Sequence, residues 1–239
     1  MKLLELTLPT PAENLALDEA LLDAAETGEL AHEVLRIWEP AGPLVVVGRS
    51  SRVGEEVNLE ACRAASVPVL RRSSGGAAVV SGPGCLMYSV VLRYEGRQHL
   101  RMIDQAHAHV LGIVASALAR LVPGIQHRGT SDLAIGNLKF SGNSLRCKRE
   151  HLLYHGTLLY DFDLTLIDRL LRMPPRMPDY RSGRQHGEFV TNLPVGGAEL
   201  RQSVAFAFDA KEGLRDWPQE PTQRLVKVRY SQDSWNLLR

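Results

Sequence analysis

The spacing of apolar positions changes early in the chain. "LLELTL" (residues 3–8) alternates apolar and polar, the period of a half-buried strand. After it, Leu17, Ala20, Leu21 and Ala24 recur at helical intervals. Pro11 at the start of that segment and Gly28 at its end are helix start and stop signals. "EVLRIWE" (33–39) and "PLVVVG" (43–48) predict strands, "NLEACRAAS" (58–66) a short helix and "VPVLRR" (67–72) another strand. "CLMYSVVLRY" (85–94) has the near-continuous apolar character of a buried strand, and residues 101–121 predict a long helix. "IQHRG", "DLAI", "LKFSGNSLR" and "HLLYHGTLLYDF" predict further strands, and "LTLIDRLLRM" a helix. Residues 174–187 carry Pro, Arg and Gly and predict an ordered loop. "AELRQSVAFAFDAKEGL" (198–214) predicts a helix and "RLVKVRY" (224–230) a final strand.

Hairpins are mixed with helices in this order, with no regular βαβα series. The pattern predicts an α+β fold with mixed or antiparallel sheets flanked by helices. No repeat or linker interrupts it, so residues 1–239 are expected to form a single domain with no clear C-terminal accessory domain.

Composition narrows the function. The chain has 239 residues, 44% of them hydrophobic, and a net charge of +1. A balanced charge argues against nucleic acid or an anionic membrane as partner. Cys62, Cys85 and Cys147 are odd in number and widely spaced, which suits neither a disulfide framework nor a zinc site, and a reduced, cytoplasmic setting is expected. The N-terminal residues lack the apolar core of a signal peptide, and no apolar run approaches the roughly 18 residues of a membrane span.

Two segments carry candidate chemistry. In "DLAIGNLKFSG", Gly136-Asn137 suits a two-residue hairpin turn. That register sets Ala134 opposite Lys139, Leu133 opposite Phe140 and Asp132 opposite Ser141. Asp132, Ala134, Lys139 and Ser141 then share one face, with the Asp132 carboxylate diagonally in reach of the lysine. Such a face holds either an ordinary ion pair or a site for an anionic or polarised carbonyl ligand. In "RRSSGGAAVV", Gly75 and Gly76 let a ligand approach the backbone, and Ala77, Ala78 and Val79 leave the wall without bulk. Neither a phosphate-binding GxxxxGK[ST] loop nor a GxGxxG fingerprint is present. His151 and His155 share a strand face without a third ligand at metal spacing, so no metal site is expected.

In order, "ENLALDEALL", "LRIWEP", "VVVGRS", "RRSSGGAAVV", "SDLAIGNLKFSGNS", "HGTLL" and "YRSGRQHGEFVTNL" resemble the catalytic domain of the lipoate–protein ligase A family, which is grouped with biotin ligases and octanoyltransferases. The resemblance implies a biotin/lipoate ligase-like, class II synthetase-like fold. It implies activation of lipoate or octanoate by ATP with Mg²⁺ to an acyl-adenylate, then transfer to a lysine of a lipoyl carrier domain or a glycine cleavage H-type protein. It implies catalytic roles for Lys139 and Asp132. It implies an acyl and adenylate site around Arg71, Arg72, Ser74, Gly75, Gly76, Ala77, Ala78, Ser141, Gly142, His155, Gly156 and Thr157.

The sequence departs from the family at three places. Ala77 replaces the usual third glycine, Val80, Ser81 and Gly82 replace Tyr-His-Asp, and Ser131 replaces an Asn. These changes bear on the ATP and Mg²⁺ contacts more than on the acyl tunnel, and the short segment after residue 193 implies a possible separate accessory activation protein. The alternative is a cysteine-dependent octanoyl or lipoyl transferase with Cys85 or Cys147 as nucleophile. In the loop, Arg176, Arg181, Arg184 and His186 could order over an adenylate or meet an acidic carrier surface.

Overall fold

A computed structural model describes residues 1–238. Strands β1 (Lys2–Glu5), β2 (Val34–Trp38), β3 (Leu44–Val47), β4 (Val69–Arg71), β5 (Val79–Ser81) and β6 (Cys85–Arg93) come first along the chain. They are followed by β7 (Ile125–Arg128), β8 (Asp132–Ile135), β9 (Leu138–Cys147), β10 (His151–Leu159) and β11 (Glu212–Gly213). The helices are α1 (Pro11–Thr27), α2 (Val53–Glu56), α3 (Leu59–Ala64), α4 (Ile103–Leu118), α5 (Thr165–Leu170), α6 (His186–Phe189), α7 (Gly197–Ala207), α8 (Gln219–Leu225) and α9 (Asp233–Asn236).

Eight strands form one mixed sheet in the order β11-β1-β2-β6-β10-β9-β8-β7, and β4-β3-β5 form a smaller one. The expected α+β class with helix-flanked mixed sheets is therefore the observed one. Among the described residues, no helix is long and apolar enough to cross a membrane.

Strand alternation sorts side chains onto the two faces of the large sheet. Leu35, Ile37, Tyr88, Val90 and Leu92 pack with Val110, Leu111 and Val114 of α4 and Leu200 and Val204 of α7. Val34, Val91 and Leu153 face Leu17, Leu21 and Leu22 of α1. The central strands are buried on both faces, which is why β6 reads as a continuous apolar run. Helix α1 starts at a capping box in which Thr10 accepts from the Glu13 amide, and Gly28 ends it in the left-handed region at φ 84°.

Three expectations are corrected here. "RLVKVRY" is not a strand: α8 continues into a π-helical turn over Val226–Tyr230. Tyr230 is the one fully buried side chain of that turn, so an alternating pattern was satisfied by a helical anchor. The predicted helix 198–214 stops at Ala207, and Glu212–Gly213 instead pair in parallel with β1. The loop 174–187 contains a 3₁₀ turn, Asp179–Arg181, and the start of α6.

Candidate active site

The glycine loop is built from behind by its two arginines. Alternation on β4 sends them in different directions. Arg71 points away from the later cavity and donates to the carbonyls of Gly48, Ser51, Trp235 and Leu238. Its own amide donates to Asn236 Oδ1 at 3.0 Å, and Trp235 Nε1 donates back to its carbonyl at 2.9 Å. Arg72 turns inward and grips the loop. Its guanidinium donates to Gly75 O at 2.5 Å, to Ala77 O at 3.0 Å and to Val46 O at 3.1 Å. Burial, with Arg71 adding and Glu56 opposing, lowers the Arg72 pKa to about 10, so it remains a cation at neutral pH.

The loop passes close over other backbone. A Cβ on Gly48 would stand 1.9 Å from the Gly76 carbonyl oxygen, so only glycine fits there. Gly76 itself takes φ 86°. Ser144 Oγ donates to Gly75 O at 2.8 Å, tying the loop to β9. The Ala78 amide donates to Glu56 Oε2 at 2.6 Å, fixing the small-residue wall against α2.

The β8–β9 hairpin carries the expected lysine in a different register. Ala134 pairs with Lys139 as expected, but Leu133 pairs with Ser141 and Asp132 with Gly142. Phe140 is the extra residue of a β-bulge, and it is wholly buried. A bulge re-aims side chains, and the shift matters here. Gly142 leaves space that the ammonium occupies: a Cβ there would meet Lys139 Nζ at 3.0 Å. Lys139 Nζ lies 2.7 Å from Asp132 Oδ1. Tyr180, from the loop before α6, donates to Asp132 Oδ2 at 2.9 Å.

On the α1 face, Asp18 meets Arg36 of β2 at 2.6 Å and His155 of β10 at 3.5 Å. Ser89 also donates to Asp18 at 3.0 Å, and His155 Nε2 lies 2.6 Å from Ser74 Oγ. Burial acts to raise the Asp18 pKa, but the Arg36 charge and His155 outweigh it and hold the carboxyl below its ordinary value. A charged cluster thus braces the glycine loop through Ser74. Gly156 is required beside it, since a Cβ there would come 1.8 Å from Asn143 Oδ1, which accepts from Tyr88 Oη at 2.6 Å.

Between these parts lies a cavity of about 450 Å³. Its wall includes Arg72, Gly76, Ala77, Ala78, Asp132, Lys139, Ser141, Gly142, His155, Gly156 and Thr157. Those eleven expected residues, drawn from four separate segments, are brought together. Arg71, Ser74 and Gly75 do not line it; they support the loop from behind. Apolar Val79, Met87, Leu159, Ile167 and Leu171 line it, and so do the cations Lys139, Arg172, Arg176 and Arg181.

Neither candidate nucleophile faces the cavity. Cys85 is fully buried behind the cavity wall, in the cluster that includes Leu159, Ile167 and Leu171, and burial pushes its thiol far above the ordinary range. Cys147 is exposed at the far end of β9, paired with Leu152. Arg181 and Arg184 do not extend as a solvated basic surface. Arg181 is buried and donates to Arg184 O at 2.8 Å, and Arg184 donates to Asn137 O at 2.9 Å. Among the described residues, no group of three or more His, Cys, Asp or Glu side chains could hold a metal ion.

Sequence reasoning missed Asp18, Trp38, Glu56 and Asn143 in the wall. Asp18 and Glu56 sit in short or helical segments that look like ordinary acidic positions. The signal for Asp18 was a carboxylate within the apolar stretch "NLALDEALL".

The mixed sheet, the small-residue wall and the Lys139–Asp132 pair come together at one cavity. The chain belongs to the lipoyl protein ligase A/B catalytic domain family, whose model matches residues 10–202. It is 38% identical over 172 residues to a lipoate-protein ligase A-type protein of Aeropyrum pernix, covering 71% of this chain and 61% of that one. It is 30% identical over 261 residues to the octanoyltransferase LipM of Symbiobacterium thermophilum, covering 94% and 93%. The chain therefore spans under two thirds of the first relative and nearly all of the second.

Two solved structures share the fold. One is a bi-partite lipoate protein ligase from Thermoplasma acidophilum, described with its E2 lipoyl domain, at TM-score 0.84 and 23% identity over 100% of this chain and 97% of that one. The other is a lipoate-protein ligase A bound with ATP, at TM-score 0.83 and 22% identity over 99% and 98%.

Proposed function

We propose that this chain is an ATP-dependent lipoate–protein ligase. In the first step a lipoate or octanoate carboxylate oxygen attacks the α-phosphorus of Mg²⁺-bound ATP, and the bond to pyrophosphate breaks. In the second, a neutral carrier-domain lysine amine attacks the acyl carbonyl and loses one proton as the amide forms, and AMP leaves with the electron pair of the anhydride bond.

The observation that carries this reading is the mixed lining of the cavity, which combines apolar side chains with several cations. The apolar lining residues, with Ala77 and Ala78, suit an eight-carbon chain, at about 0.8 kcal/mol per buried CH₂. Lys139, Arg172, Arg176 and Arg181 in the same lining suit the polyphosphate and the charge that develops on the carboxyl oxygen. The Thermoplasma protein's pairing with a lipoyl domain supports the same carrier class here, and its bi-partite build supports a separate accessory activation protein. An H-type carrier protein offers the same lysine chemistry.

One observation favours a second reading, in which an acyl group is moved from an acyl-carrier or lipoyl-domain donor: the match along almost the whole LipM chain. Placement of both cysteines outside the cavity argues against a thioester route.

Incubation of the protein with lipoate, Mg²⁺ and α-labelled ATP, without carrier, is expected to yield lipoyl-AMP and pyrophosphate. If neither forms and octanoyl-carrier protein instead donates to a lipoyl domain, the transferase reading replaces the ligase.

A further inference from the structure

Tyr180 lies outside the strands that carry Lys139 and Asp132, in the loop between α5 and α6. Yet its hydroxyl donates to Asp132 Oδ2 at 2.9 Å while Lys139 holds Oδ1 at 2.7 Å. One buried carboxylate thus serves two donors, one from the hairpin and one from the loop. Burial first, then the Asp132 charge, push the phenol above its ordinary value, so it remains a donor at neutral pH.

The loop is seated on β7, α6 and the hairpin turn by independent contacts as well. The Arg128 guanidinium lies over the Tyr180 ring at 5.1 Å, and the Tyr180 and Phe189 rings are 5.1 Å apart. Arg184 Nη2 bridges Asn137 O in the hairpin turn and Tyr180 O in the loop, each at 2.9 Å. Gly129, at φ 57°, lies close under the loop: a Cβ would come 3.2 Å from Pro178 Cβ and 3.6 Å from the Tyr180 ring. The same loop presents Arg176, Met177, Pro178 and Arg181 to the cavity.

We propose that Tyr180 is a positioning residue that ties this cavity-facing loop to the orientation of Lys139, acting through Asp132. This rests on the reading of Lys139 as the group facing the activated carboxyl. A carboxylate free to rotate could turn either oxygen to the ammonium and draw it away from the ligand. With Oδ2 taken by the phenol, the ammonium is held by one oxygen only, and its remaining N–H donors are left for the carboxyl or phosphate oxygens. The carboxylate is thereby fixed by the loop, and the lysine by the carboxylate.

Two variants separate this latch from general support. Tyr180→Phe keeps the ring, its stacking under Arg128 and its packing on Phe189. Asp132→Asn keeps an acceptor oxygen for Tyr180 but removes the charge. Hydrogen–deuterium exchange of the ligand-free protein is read over residues 174–184 and 131–142. The initial rate of lipoyl-AMP formation is read against lipoate concentration.

For Tyr180→Phe, exchange is expected to rise about tenfold in both segments, because a hydrogen bond to a charged acceptor is lost. Its kcat is expected to fall about tenfold, with KM for lipoate within about twofold. Asp132→Asn is expected to keep near-normal loop exchange and still lose kcat. The proposal is overturned by unchanged exchange in Tyr180→Phe, by unchanged kcat, or by a loss confined to KM for lipoate. Should the wild-type protein form no acyl-adenylate, the ligase reading fails by itself and exchange decides the latch. A rise in both segments upholds the latch, and a rise in the loop alone sinks it.

Discussion

The Lys139 ammonium occupies the space that a side chain on Gly142 would need: a Cβ there would stand 3.0 Å from Nζ and 3.2 Å from Cε. Gly142 is partly buried in β9 and is not at a positive φ, so alanine suits its backbone. Gly142→Ala is therefore expected to change stability by under about 1 kcal/mol. It is expected to displace the ammonium from the line of attack and slow acyl-adenylate formation by about 100-fold. Urea unfolding and the rate of pyrophosphate release, measured on the same preparation, separate the two effects. A stable variant with normal rate would remove Lys139 from the chemistry.

Arg71 predicts the opposite behaviour. It is fully buried and donates to backbone carbonyls of residues 48–51 and of the C-terminal segment, outside the cavity wall. Arg71→Met would leave those carbonyls without their donor in a dry setting, a cost of about 1–3 kcal/mol for each that water cannot reach. A total loss of about 3 kcal/mol or more is expected, with proteolytic cleavage appearing first between residues 226 and 238. A variant that keeps full stability but cannot bind lipoate would instead return Arg71 to the ligand site.

The contrast shows what was legible in the sequence. Alternation alone said that Arg71 and Arg72 point to opposite faces, and it could not say which face holds the ligand. That depended on Trp235 and Asn236, more than 160 positions away, covering one side. The Gly136-Asn137 turn was legible because its backbone demand is local, and Ala134 does pair with Lys139. The bulge at Phe140 was not, because it arises from that ring's burial in the core beneath the sheet. Asp18 was hidden for a related reason. Its partners Arg36, Ser89 and His155 come from β2, β6 and β10, and only the sheet order brings them under α1.

The cysteines give a prediction about reaction class. Cys85 has no exposure and a thiol pushed up by burial, and Cys147 sits at a strand end outside the cavity wall. A double Cys85→Ser, Cys147→Ser variant is expected to modify a lipoyl domain at the wild-type rate within about twofold, since no thiolate attack is involved. Intact-mass spectrometry after incubation with octanoyl-carrier protein is expected to show no acyl adduct on the wild-type chain. An adduct that the double variant loses would establish the thioester route.

Asp18 and His107 are among the buried groups that contribute to the pH dependence of stability, and both act in the same direction. Asp18 is held below its ordinary value of 3.8, where burial is outweighed by Arg36 and His155. Its contribution is present above about pH 4 and is lost as pH falls through the lower folded value. His107, whose Nδ1 lies 2.9 Å from the Tyr154 hydroxyl, is held below its ordinary 6.5, first by burial and then by the His127 charge, with Asp104 and Asp132 opposing. Below about pH 6.5 the unfolded chain takes up a proton that the folded chain resists, so stability falls there too. Urea unfolding from about pH 7.5 to pH 3 should show a shallow decline followed by a steep one. Asp18→Asn leaves the Arg36 guanidinium buried without its carboxylate, a cost of about 3 kcal/mol at neutral pH. Its deficit should shrink as pH drops below about 4, because the unfolded wild-type chain then takes up a proton at Asp18 that the folded chain resists. A deficit that stays constant down to about pH 3 would mean that the Asp18–Arg36 pair carries no charge-dependent stability.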